Sequence, residues 1–136
     1  MAKILIVDDD PDMRLAIASV LRSRDYEVIE AHNGEESLGK VKEEKPDLML
    51  LDLLMPKMDG FAVIKELQNA QEKGYPDIPI LIISSIREEA SHRRYELEVG
   101  HKLDVDEYIE KPIEPFILLQ RVENLLSKGG KDAKTD

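Results

Sequence analysis

The 136-residue chain has no cysteine and no tryptophan. Without thiols, disulfides, thiolate nucleophiles and cysteine-ligated zinc are all excluded. Basic side chains are in deficit as well: 19 Lys plus Arg face 29 Asp plus Glu, a net charge of −10. Tight binding to nucleic-acid phosphates comes from basic groups displacing counterions, so no direct nucleic-acid contact is expected of this chain alone. No apolar run approaches the ~20 residues of a membrane span, and no membrane partner is expected. No signal peptide is expected either, because Met1-Ala2-Lys3 leads straight into a strand-like run and three aspartates. The expected location is the cytoplasm. The length suits one domain able to bury a real core.

Short apolar runs end in residues that handle phosphate or metal. Ile4 to Val7 is followed by Asp8, Asp9 and Asp10, and Leu48 to Leu51 leads to Asp52. Ile78 to Ile83 opens onto Ser84 and Ser85, and Tyr108-Ile109 onto Glu110-Lys111-Pro112. A carboxylate directly after buried side chains is costly to desolvate, so it belongs at a strand's mouth, facing a cleft or a cation.

Two kinds of segment alternate. Residues 3–7, 26–30, 47–51, 78–83 and 106–109 are rich in Ile, Val and Leu and read as strands. Between them lie stretches with helical spacing. The first runs from Pro11 to about Arg24, with Asp10 as N-cap and Met13, Ile17, Val20 and Leu21 on one stripe. Asn33 caps a second helix to about Glu44, with Leu38 and Val41 inward, and Asp59 caps a third that buries Phe61, Ile64 and Leu67 until Gly74. A fourth is predicted over 87–98. The fifth starts near Pro112 and buries Phe116, Leu119, Val122, Leu125 and Leu126. Residues 128–136 are predicted to be a disordered polar tail or linker, beyond a domain of residues 1–127.

Strands alternating with helices imply an α/β domain with a doubly wound, five-stranded parallel sheet and helices on both faces. Ligands of such sheets bind at the carboxyl ends of the strands, which is where the sequence puts Asp8, Asp9, Asp52, Ser84 and Lys111. Three carboxylates at one mouth must bind protons or hold a cation. Magnesium suits them, since it prefers oxygen ligands and takes one or two carboxylates plus phosphate oxygens. Asp10 is left as a helix cap. An ammonium beside the cluster, from Lys111, can neutralise a transferred phosphoryl group.

Asp8-Asp9, then Asp52 followed by Met-Pro-Lys-Met-Asp-Gly, then Ser84, then Lys111-Pro112 resembles the receiver domain of two-component response regulators. The match spans residues 3 to about 127. The resemblance implies the flavodoxin-like strand order 2-1-3-4-5. It implies a signalling switch, with Asp52 as phospho-acceptor for a histidine kinase or phosphotransfer protein. Lys111 would pair with the phosphoryl group. Asp9, Asp52 and the Leu54 backbone carbonyl would ligate Mg2+, for which Mn2+ can substitute, and Asp8 would act through a water. Ser84 and Tyr108 would form the switch, signalling to a downstream protein target or output domain. The chain looks like a stand-alone receiver that catalyses only its own aspartyl phosphorylation and dephosphorylation.

The alternative is a Mg2+-dependent aspartyl-phosphate hydrolase, which needs an acid/base carboxylate two residues past the nucleophile. Leu54 stands there. With Ile86 also apolar, slow hydrolysis of the phospho-aspartate is expected. The link from Gly100 to Tyr108 is longer than the family's usual one, and its His101, like His92, is read as a surface residue.

Overall fold

The structure is a computed structural model and describes residues 1–53, 55, 58–68, 70–84 and 107–134. Five strands, β1 (Lys3–Val7), β2 (Glu27–Ala31), β3 (Leu48–Asp52), β4 (Ile80–Ser84) and β5 (Glu107–Glu110), form one sheet in the order β2-β1-β3-β4-β5. All four pairings are parallel. The helices are α1 (Pro11–Arg22), α2 (Gly34–Glu44), α3 (Gly60–Leu67), the short α4 (Ala70–Lys73) and α5 (Pro115–Lys134). This is the doubly wound architecture that the alternating pattern predicts. The helix expected over 87–98, the Gly100–Tyr108 link up to residue 106, and Leu54, Ile86, His92 and His101 lie outside the described residues.

Alternate strand residues face opposite sides of a sheet, and here both sides are covered. Ile4, Ile6, Leu48, Leu50, Leu81, Ile83 and Ile109 pack with Ile17, Ala18 and Leu21 of α1 and Leu118, Val122 and Leu125 of α5. Leu5, Val7, Met49, Leu51, Ile80 and Ile82 pack with Val41 of α2 and Phe61, Val63 and Ile64 of α3. Burial on both faces is why the three inner strands, β1, β3 and β4, read as apolar runs, while the edge strands β2 and β5 carry glutamates.

The caps fall on the expected residues. Asp10 accepts from the Asp12 N–H at 2.9 Å, Asn33 from that of Glu36 at 2.8 Å, and Asp59 from that of Ala62 at 2.9 Å. Each satisfies a donor that the first helical turn leaves over. The third helical stretch does not run unbroken to Gly74. Gln68, in extended backbone, closes α3 before α4 begins.

The start and the buried face expected for the last helix are corrected. It starts at Pro115 and buries Leu118, Val122 and Leu125, while Phe116 is 74% exposed. At 3.6 residues per turn Phe116 stands about 200° round from Leu118, so one stripe cannot hold both. The helical backbone of α5 runs through Lys134. Once a helix is nucleated, each further residue adds a hydrogen bond. A glycine costs only about 1 kcal/mol relative to alanine, and no proline follows Pro115 to stop it.

Candidate functional site

Asp8 and Asp52 continue the strand parity of Ile6 and Leu50, so they extend the α1/α5 side of the sheet at its carboxyl edge. The polarity changes there, but the burial does not. Asp8 is 2% exposed and Asp52 3%, while Asp9 is open to solvent. Carboxylate oxygens of all three lie within 4.8 Å of one another. The parallel register explains the meeting: β1 pairs with β3 up to Val7 opposite Leu51, so the next residues emerge side by side.

Asp8 is held on every side but one. Its N–H donates to the Ala31 carbonyl at 3.2 Å, its carbonyl accepts from Arg14 Nη1 at 2.7 Å, and its Oδ1 accepts from the Asp10 N–H at 2.9 Å. Oδ2 is buried with no hydrogen-bond partner among the described residues. Burial pushes this carboxyl up to about 6 from 3.8, against the lowering effect of the Asp10 N–H, with Asp52 adding repulsion. An orphaned buried oxygen costs on the order of 1–3 kcal/mol. Together with two neighbouring carboxylates it forms a hard-oxygen donor set that fits a small divalent cation.

Lys111 reaches the same edge from β5, its Nζ 3.5 Å from Asp52 Oδ1. Its backbone N–H donates to the Ser84 carbonyl at 2.6 Å, across a cis Lys111–Pro112 peptide that follows. Ser84 is buried at the end of β4. Tyr108 is half-buried against the α2/α3 core, and its carbonyl accepts from Arg121 Nη1 at 3.1 Å. The sequence-predicted residues Asp8, Asp9, Asp52 and Lys111 are thus brought together, with Ser84 and Tyr108 on the adjoining strands. The Leu54 carbonyl lies outside the described residues. A cavity of about 480 Å³, lined by Pro46, Asp47, Ile78, Pro79 and Leu125, opens at the opposite edge of the sheet and touches none of them.

Sequence reasoning missed two supports of this edge. Gly60, at the start of α3, donates its N–H to the Leu53 carbonyl at 2.8 Å. A Cβ at that position would lie 2.6 Å from the Asp52 carbonyl oxygen and 2.7 Å from Leu53 Cα. The other is Arg14, whose Nε donates to Glu30 at 3.2 Å while Nη1 holds Asp8. A glycine after a helix cap is a visible signal. A helical arginine whose partner stands on a strand 16 residues away is not.

Residues 4–123 match the response regulator receiver domain family. The chain belongs to that family. The receiver is 37% identical over 126 residues, 93% of its length, to the alkaline phosphatase synthesis transcriptional regulatory protein PhoP of Bacillus subtilis, of which it covers 49%. It is 34% identical, again over 93% of its length, to the response regulator MprA of Mycobacterium avium, covering 51% of that protein. The chain therefore spans about half the length of these curated relatives. A solved signal receiver domain from Bermanella marisrubri superposes with a TM-score of 0.75 at 36% identity, covering 91% of this chain and 97% of that one. The chain is accordingly a receiver domain of a two-component response regulator, and the strand order expected from the resemblance is the one found. No helix among the described residues is long and apolar enough to cross a membrane.

Proposed function

We propose that this receiver is a phosphorylation-driven switch that accepts a phosphoryl group on Asp52 from a phosphohistidine of a kinase or phosphotransfer protein. The observation that carries the reading is the convergence of Asp8, Asp9 and Asp52 on one edge with the Lys111 ammonium 3.5 Å from the Asp52 carboxylate. An Asp52 oxygen attacks phosphorus in line. The new P–O bond forms as the P–N bond breaks, and the imidazole leaves with the electron pair. Such transfers need positioning and charge neutralisation more than covalent help.

Asp9 and Asp52, with the Leu54 carbonyl and with Asp8 through a water, are the residues that would hold Mg2+ or Mn2+. Bound there, the cation would supply charge neutralisation for the transferring phosphoryl oxygens. Lys111 adds a second positive charge on the β5 side. Its pairing with Asp52 is loose enough to be shared with an incoming phosphoryl group.

The acyl phosphate brings about −2 charge and three acceptor oxygens to this edge. In our reading the Ser84 hydroxyl turns to donate to one of them, and Tyr108 follows into the space it leaves. That repacking alters the face around β5 that a downstream protein target or output domain binds. The names of the curated relatives as regulators support a downstream readout of this kind.

Incubating the chain with Mg2+ and acetyl phosphate, followed by intact mass, tests the proposal. One added phosphoryl group is expected on the native chain and none on Asp52→Asn. No native adduct, or an undiminished one in the variant, overturns it.

A further inference from the structure

Arg14 is the fourth residue of α1, its side chain only 12% exposed, and it binds two acceptors, one just past the end of β1 and one on β2. Nη1 donates to the Asp8 carbonyl at 2.7 Å, and Nε donates to Glu30 Oε1 at 3.2 Å. Glu30 sits on β2 opposite Ile6 of β1, just before the strand ends at Val7. Beyond Val7 the ladder gives way to single contacts. The Asp8 peptide is then fixed by the Ala31 carbonyl on its N–H side and by Arg14 on its carbonyl side.

We propose that Arg14 is a positioning residue for the cation site, with Glu30 as its anchor. The direction of the Asp8 carbonyl sets how the chain turns into Asp9, and so where the Asp9 carboxylate and Asp8 Oδ2 stand relative to Asp52. A guanidinium suits the task because its rigid fork meets two acceptors at fixed angles. Glu30 holds that fork from the far side, and Arg22, 3.9 Å away, adds a second positive charge to Glu30. Arg14 donates to the Asp8 peptide oxygen rather than to its carboxylate, so its effect runs through geometry and not through neutralising a ligand. Outer-shell contacts of this kind typically change metal affinity by ~10- to 100-fold when removed.

The inference rests on the cation reading above, and the test separates the two. Mn2+ binding is followed by electron paramagnetic resonance on the native chain, Asp9→Asn, Arg14→Met, Arg14→Lys and Glu30→Gln. Thermal unfolding of each is recorded without metal, so that binding is compared among folded proteins. Arg14→Met is expected to weaken Mn2+ by about tenfold or more. Arg14→Lys, which keeps one donor for the Asp8 carbonyl, should recover part of that loss, and Glu30→Gln should weaken binding less than Arg14→Met. Native-like affinity in Arg14→Met, with a lowered melting temperature, makes Arg14 a structural brace and overturns the proposal. Should Arg14→Met fail to fold, unchanged affinity in both Arg14→Lys and Glu30→Gln overturns it equally. Failure of the native chain to bind Mn2+, or binding unaffected in Asp9→Asn, instead removes the cation reading on which the inference stands.

Discussion

Lys111 and Asp52, 59 residues apart in sequence, meet at the carboxyl edge with Nζ 3.5 Å from Oδ1. Asp52 is almost fully buried, whereas the lysine side chain keeps 25% of its surface. The ammonium is thus wet enough to move and close enough to compensate the carboxylate. Charge that a site must neutralise during transfer is best met by groups already in place.

Lys111→Met should therefore slow accumulation of the acetyl-phosphate adduct by roughly 10²-fold, as removal of one preorganised donor commonly does. Intact mass at timed intervals measures it, with Mg2+ saturating. An unchanged rate would show that the ammonium has no part in the transfer.

Asp8 makes the protein's stability depend on pH in an unusual direction. Its carboxyl is pushed up to about 6 by burial, against 3.8 in the unfolded chain. Between these values the folded state binds the extra proton. Folding stability from this group is fully present below 3.8 and is lost as pH rises through 6, a swing on the order of 3 kcal/mol. Asp8→Asn should accordingly be about 2–3 kcal/mol more stable than the native chain at pH 7 and gain little at pH 4. Urea unfolding at both values checks this, and the difference between the two proteins removes the other carboxylates from the comparison. Saturating Mg2+ should shrink the gap at pH 7 by stabilising the native chain more than the variant, which keeps Asp9 and Asp52 but lacks the Asp8 carboxylate. An equal gain at both pH values would refute the assignment.

Gly60→Ala should disturb the site from the far side of β3. The added methyl would stand 2.6 Å from the Asp52 carbonyl oxygen, against backbone that cannot swing away as a side chain would. Overpacking of this kind costs about 1–3 kcal/mol. Because the displaced backbone carries Asp52 itself, adduct formation should fall along with the melting temperature. A variant as stable and as readily phosphorylated as the native chain would contradict the close approach.

How much of this was visible beforehand depends on the range of the interaction. The strands were legible because parallel strands covered on both faces must be apolar throughout, and Ile4 to Val7 and Leu48 to Leu51 are. The caps at Asp10, Asn33 and Asp59 were legible because each acts within three residues. Asp8 and Asp52 could be placed at strand mouths by desolvation cost alone, but not their shared burial. That follows from the register of β1 on β3. Arg14 reads as one more charge on an amphipathic helix until Glu30 and the Asp8 carbonyl are seen on either side of it.

The phase of α5 is the sharpest such miss, and it yields a direct contrast. Periodicity assigned Phe116 to the core and passed over Leu118, because a phenylalanine near a helix start fits either of two overlapping stripes. The structure leaves Phe116 74% exposed and Leu118 fully buried. Leu118→Ala should then cost about 2–5 kcal/mol, the price of a cavity among Ile4, Ile83 and Val122 or their neighbours in that core. Phe116→Ser should stay within about 0.5 kcal/mol of native, as surface changes usually do. Both are read from chemical denaturation with the midpoint and slope fitted together, so that a change in the unfolded state is not mistaken for one in packing. If Phe116→Ser proved the more damaging of the two, the helix would be rotated from the phase described. The stripe of Leu118, Val122 and Leu125 that closes the sheet beneath Asp52 and Lys111 would then have to be redrawn.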